Sequence, residues 1–162
     1  MTIEYRTALP EDAAECVRLR GLTRENAISE HRLAEIGITA QTWGDDIRSG
    51  ALPGYLCLDD KHVVGYCFGA AKSGEVAVLV VMPSHESRGI ARHLLGLVCN
   101  ALARLGHHRL FLGCSSDPKV RSHGFYRHLG WRSTGQLDQY GDELLEFYPP
   151  SCTGDRQTAS PC

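Results

Sequence analysis

The residues with the most chemical potential in this chain gather in the run VVMPSHESRGIARHLL, residues 80–95. An apolar stretch ends at Pro83, a short polar loop follows, and Arg88-Gly89-Ile90-Ala91 opens a helical pattern. Such a loop presents backbone N–H groups and the positive end of a helix dipole, and Gly89 lets an anion approach with no side chain in the way. A pyrophosphate suits it, with Arg88 and Arg92 adding charge. The same residues would also make an ordinary strand-to-helix turn in which glycine serves packing. A second stretch, HGFYRHLGWRSTG at residues 123–135, puts Tyr126 late in a short helix, where a buried tyrosine is compatible with packing alone. Gly113-Cys114-Ser115-Ser116-Asp117 begins like a serine-hydrolase nucleophile turn, but Asp117 stands where that turn needs a second glycine. There is no G-x-G-x-x-G, and Lys72-Ser73 lacks the preceding glycine of a P-loop, so kinase and dehydrogenase readings are poor. The eight histidines show neither H-x-x-x-H nor H-E-x-x-H spacing, so no metal is expected.

Positioning these residues requires a scaffold, and its elements are legible in the sequence. IEYRTAL at residues 3–9 alternates as a half-buried strand does. Pro10 with Glu11 and Asp12 starts a helix expected to run to about Arg24. A second helical stretch begins near Ser29, breaks around Gly37 and resumes after Thr39 toward Ile47. YLCLDD, VVGYCFGAA and EVAVLVVM then read as three strands joined by short turns, an antiparallel meander. Ser87 to Gly106 is the strongest helix, with Ile90, Leu94, Leu97, Val98, Ala101, Leu102 and Leu105 on one stripe. His107-His108 would cap its C-terminus. Strand RLFLGC, a short helix within 119–129, and the strand pair WRSTGQL and ELLEFY around Gly141 complete an α+β (mixed α/β) pattern.

The chain has 162 residues with 17 basic and 19 acidic side chains, a formal net charge of -2, so one domain is expected. Interleaved charge of this kind disfavours a nucleic-acid partner. The longest apolar run, Val76 to Met82, is far short of the roughly 18 residues of a membrane span, and Glu4 and Arg6 interrupt any signal peptide. No membrane partner and a cytoplasmic location are expected. The seven cysteines form no C-x-x-C pair and five lie in apolar segments, as reduced core thiols do. The domain is assigned to 1–148, and 149–162, with almost nothing apolar to bury, reads as a disordered tail.

Taken together and in this order, the two chemical stretches resemble the GNAT superfamily of acyl-CoA-dependent N-acetyltransferases. The family signature is a strand ending in V-x-P, two residues, and an R/Q-x-x-G-x-G/A loop opening a helix; Val81, Pro83 and Glu86 to Ala91 fall in register. Phe125-Tyr126-Arg127-His128-Leu129-Gly130-Trp131 matches the later F-Y-x-x-L-G-F signature. The resemblance implies a central mixed, mostly antiparallel six- to seven-stranded sheet flanked by about four helices. It also implies acetyl-CoA as the acetyl donor, held by Leu79, Val80, Val81, Glu86, Ser87, Arg88, Gly89, Ile90, Ala91, Arg92 and Tyr126. In the family the last meander strand splays from its neighbour, and the pantetheine arm pairs with it like an added strand. A backbone N–H near Leu79 would stabilise the oxyanion, and Tyr126 stands at the position of the general acid that protonates the departing thiolate. Glu75, six residues before Val81, holds the position of the base in the histone-modifying branch; its plain reading is a strand-edge carboxylate. Two departures stand out: Glu86 replaces the loop's usual arginine or glutamine, and an asparagine typical of the family is replaced within 117–122.

Family members place the acceptor between the first two helices and the last hairpin, which here supply Glu25, Asn26, Glu30 and His31, and Asp138, Tyr140 and Asp142. Cys114 and Ser115, at the end of the facing strand, are the alternative to Glu75, ordering a water in place of a carboxylate base. Carboxylates around a small cleft favour a cationic amine, although surface charges are commonly just solvated. The expected partner is a small-molecule amine, and a homodimer is compatible with this reading. Acetylation of protein lysines or N-termini, and a silent acyl-CoA sensor, are the alternatives.

Overall fold

The computed structural model describes residues 2–150; the expected tail from 151 onward lies outside the described residues. Strand β1 (Ile3–Thr7) leads through a 3-10 turn at Pro10–Asp12 into α1 (Ala13–Arg20), shorter than expected because Gly21 closes it. Helices α2 (Glu30–Glu35) and α3 (Ala40–Ser49) start at Ser29 and Thr39, whose side chains accept the N–H of Arg32 and Thr42. Strands β2 (Gly54–Asp59) and β3 (His62–Gly69) form a hairpin whose two-residue turn, Asp60-Lys61, has φ 48° and 70°. Positive φ at both positions is the turn geometry that matches strand twist.

Strand β4 (Val76–Val81) completes an antiparallel sheet in the order β1-β2-β3-β4. Its pairing with β3 slips between Phe68–Val78 and Gly69–Val76, leaving Ala77 as an extra residue. A bulge bends its strand and increases the local twist. The chain continues into α4 (Ile90–Arg104), β5 (Leu110–Cys114), α5 (Arg121–His128), β6 (Arg132–Leu137) and β7 (Glu143–Phe147). The last three strands form a second antiparallel sheet in the order β5-β7-β6. Among the described residues, the sheets meet by strand pairing only at a parallel bridge between Glu75 and Phe111, where the Phe111 N–H donates to Gly74 O at 3.3 Å. Seven strands and five helices thus bear out the mixed, mostly antiparallel architecture, with the single parallel contact making it mixed.

Two cores flank the first sheet. On one face α1 and α3 bury Cys16, Leu19 and Trp43 against Tyr66 and Phe68, whose rings stand edge-on to Trp43 with centroids 5.7 Å and 5.3 Å away. On the other face α4 buries Ile90, Leu94, Leu95, Val98, Cys99 and Leu102. The stripe is therefore rotated from the expected one: Leu95 and Cys99 are inside, Leu97 and Ala101 are half-buried, and Leu105 is exposed beyond the helix end. A Cβ at Gly69 would stand 2.8 Å from Leu102 and 2.9 Å from Val98, so glycine lets α4 settle close to β3. The ring of His107 bonds to Ala71 O at 2.6 Å, tying the end of α4 to the β3–β4 turn, while its N–H caps Leu102 O. Cys16, Cys57, Cys67, Cys99 and Cys114 are buried free thiols, as expected.

Candidate active site

Beyond the bridge at Glu75, no described strand pairs with the outer edge of the six-residue β4, and β5 pairs along its length only with β7. The result is a wedge between β4 and β5 that opens past Glu75 and leaves the β4 edge unpaired at Leu79, Val80 and Val81. Val80 is buried against the α1–α3 core, while Leu79 and Val81 pack against the α4 core and stay half-open.

Past Val81 the chain makes a 3-10 turn, Pro83–His85, and reaches the loop 86–89. His85 anchors this turn through Asp59 at 2.7 Å, and Ser84 bonds to its other ring nitrogen at 2.7 Å. Ser87 and Gly89 both adopt positive φ, 62° and 80°. Two left-handed residues one position apart fold the loop tightly ahead of α4, and a serine held at positive φ stores local backbone strain. Gly89 is the N-cap of α4, no side chain caps the helix, and a Cβ at Gly89 would touch nothing within 4 Å. The first-turn amides of Ile90, Ala91 and Arg92 therefore face open space, a ready anion cradle. Glu86 is not turned outward. Its carboxylate accepts Arg24 Nε at 3.0 Å and an Arg121 guanidinium nitrogen at 2.6 Å.

Tyr126, on α5, is buried among Phe125, Trp131 and the α4 core. Burial, reinforced by the nearby thiols of Cys67, Cys114 and Cys99, pushes its phenol far above the ordinary tyrosine value. Cys67 pairs with Leu79 across β3–β4 and Cys114 ends β5, so the ring is bracketed by the two sides of the wedge. Its hydroxyl makes no hydrogen bond to any described residue, in contrast to Tyr66, which donates to Cys16 O at 2.9 Å.

Glu75 stands where the two strands part. It is half-buried rather than a solvated strand-edge group, and burial followed by the charge of Asp138 raises its carboxyl above the usual range. Asp138 and Asp142 come to the same place: a Cβ on Gly113 would stand 2.8 Å from Asp138 Oδ2 and 3.6 Å from Asp142 Cβ. The Asp138 carboxylate accepts the N–H groups of Tyr140 and Asp142 at 2.8 Å and 3.0 Å, which fixes the hairpin tip. Asp142 is likewise raised by burial and by Asp138.

The remaining predicted acceptor residues are not drawn into this group. His31 pairs with Glu35 on the exposed side of α2, Glu25 and Asn26 lie in the exposed loop before it, and the Tyr140 side chain is 80% exposed. Cys114 is buried at the end of β5, and Ser115 Oγ accepts the Asp117 N–H at 3.2 Å, so this serine serves a turn rather than a nucleophile triad. Arg24 and Arg121 carry no motif of their own; the signal for them was Glu86, an acidic residue at a loop position where arginine or glutamine is usual. No group of three or more metal-ligating side chains occurs among the described residues. None of their helices is long and apolar enough to cross a membrane.

The fold is that of the acetyltransferases. The chain belongs to the acetyltransferase (GNAT) family, whose sequence profile matches residues 17–131. A search of curated protein sequences finds no match. Among solved structures, the PaiA N-acetyltransferase of Thermoplasma acidophilum, in complex with coenzyme A, superposes with a TM-score of 0.75 at 17% identity, covering 92% of this chain and 100% of its own. YncA of Salmonella typhimurium, solved with its cofactor acetyl-CoA, gives 0.73 at 17% identity with both chains fully covered. The phosphinothricin acetyltransferase of Sinorhizobium meliloti, in complex with acetyl-CoA, gives 0.67 at 21%, covering 91% of this chain and 89% of its own. At these identities the likeness is one of fold.

Proposed function

We propose that the protein is an acetyl-CoA-dependent N-acetyltransferase that passes the acetyl group directly to a primary amine of a small molecule within a ternary complex. The observation that carries this reading is the wedge between β4 and β5, open along β4 and leading to the uncapped start of α4. The residues present fit the cofactor: the free edge at Leu79, Val80 and Val81 suits an extended amide-bearing arm, and the concavity from Ser87 to Arg92 suits a pyrophosphate. The relatives solved with coenzyme A or acetyl-CoA support the same assignment.

Acetyl-CoA, when bound, supplies an acetyl group activated as a thioester. The chain's own groups then have distinct tasks. The Leu79 N–H donates to the carbonyl oxygen where negative charge develops. Tyr126 stays protonated throughout the neutral range and donates to the departing sulfur. Burial makes the phenolate costly, so its proton is restored by the one that the nitrogen gives up once the C–N bond has formed. Glu75, whose carboxyl is raised by burial and by Asp138, takes the earlier proton, the one the ammonium form of the acceptor must lose to become a nucleophile. Glu75, Asp138 and Asp142 together favour an acceptor that carries positive charge, which relieves their mutual repulsion.

Thiol release from acetyl-CoA over a panel of polyamines, amino sugars, amino-acid amines and lysine peptides tests the proposal. Turnover with a cationic small amine is the expected result. Turnover confined to peptide lysines or N-termini would overturn the small-molecule acceptor, and cofactor binding without release from any amine would overturn the enzyme.

A further inference from the structure

Three segments distant in sequence meet at the first residue of the phosphate loop. Glu86, with an 18% exposed carboxylate, accepts Arg24 Nε on both oxygens, at 3.0 Å and 3.2 Å. Arg24 belongs to the loop between α1 and α2. On Oε2 the carboxylate also accepts Arg121, the first residue of α5, at 2.6 Å; the other arm of Arg121 lies 3.5 Å from Ser87 Oγ. Both guanidinium groups remain more than half exposed, 58% and 54%. A guanidinium has five N–H donors, and neither arginine has used all of its own. Two positive charges and one negative leave the cluster with the net charge of a single arginine, one of the two residue types that the family motif carries at this position.

Resting on the cofactor reading above, we propose that Glu86 is a positioning residue: it holds Arg24 and Arg121 beside the uncapped start of α4 so that their free N–H donors meet the phosphates of the nucleotide arm. The acidic residue is then a replacement for the usual arginine or glutamine rather than a defect. Coulomb's law applied to Glu86 alone gives the opposite expectation, since a carboxylate near a polyanion should weaken binding. A purely structural strap is the other explanation, but exposed ion pairs contribute little to stability. The arrangement also joins the loop before α2 to the cofactor loop.

The test is calorimetric titration of coenzyme A and of dephospho-coenzyme A into the full chain and into Glu86→Gln, Arg24→Ala and Arg121→Ala, with melting temperatures of the free proteins. Each variant should bind coenzyme A about 3- to 30-fold more weakly, the loss of one charge-assisted contact, with melting temperatures nearly unmoved. In an Arg24→Ala/Arg121→Ala background, Glu86→Gln should have no further weakening effect. An equal loss with dephospho-coenzyme A places the arginines at the pyrophosphate, and a loss confined to coenzyme A places them at the 3′-phosphate; either supports the proposal. If the wild-type chain binds and Glu86→Gln binds as tightly or more tightly, the positioning role is overturned while the cofactor reading stands. If the wild-type chain does not bind, both fall.

Discussion

The Tyr126 ring is buried, but its hydroxyl makes no hydrogen bond to any described residue and is not a sealed-off polar atom, so the fold draws little stability from that oxygen. Tyr126→Phe should therefore melt close to the wild-type temperature, while kcat falls about 10²-fold or more, the usual worth of a general acid; steady-state kinetics and thermal melts check both. Glu75 makes a complementary case with a definite sign. Its folded-state pKa is raised, so the folded chain binds the proton more tightly than the unfolded one. Stability then falls as pH rises from the ordinary glutamate value through the raised one. Glu75→Gln should melt higher than wild type at pH 7 to 8, with the gap closing under acid conditions, and kcat/KM should lose its acidic limb. A gap of the same size at low pH would contradict this account. Asp138 and Gly113, which set the environment of Glu75, could not be matched to it from sequence, since their proximity depends on the β6–β7 hairpin folding back over β5.

The helices and strands owe their legibility to their periods. β2 and β3 stand between turn residues, α2 and α3 begin at capping side chains, and α4 carries an i, i+4 row of Ile90, Leu94, Val98 and Leu102. The bulge at Ala77 was invisible for a physical reason: the run from Val76 to Met82 is apolar at every position, so no alternation exists to show a slipped register. The partners of Glu86 were equally hidden, being 62 and 35 residues away. What the loop sequence did give was Gly89, and its conformation supports a prediction. Gly89→Ala puts a Cβ at φ 80° with nothing within 4 Å, so the chain should fold, losing about 1–2 kcal/mol from left-handed strain. Coenzyme A affinity should drop about 10-fold as the methyl group enters the anion cradle. Denaturant unfolding and calorimetry separate the two effects, and an unchanged affinity would argue against the cradle.

At the scale of the molecule, two antiparallel sheets share one strand-pairing contact, and the cofactor is expected to lie where the next contacts would be. Binding should then act on the whole fold. At a coenzyme A concentration 100 times Kd the chain should gain about 2.7 kcal/mol of stability. Hydrogen exchange should slow most along residues 76–81 and 87–92, and protection confined to the α1–α3 side would place the ligand elsewhere. The open edge has a further consequence for the protein without its ligand. Its six residues, VAVLVV, hold no charge, proline or glycine, so the lysines and prolines that guard natural edge strands are missing. Such a segment is the composition of a steric zipper. The empty chain is thus exposed to self-association through β4, and protein stripped of coenzyme A should scatter light sooner on warming than protein kept with it. The supply of cofactor would set the lifetime of the enzyme as well as its rate.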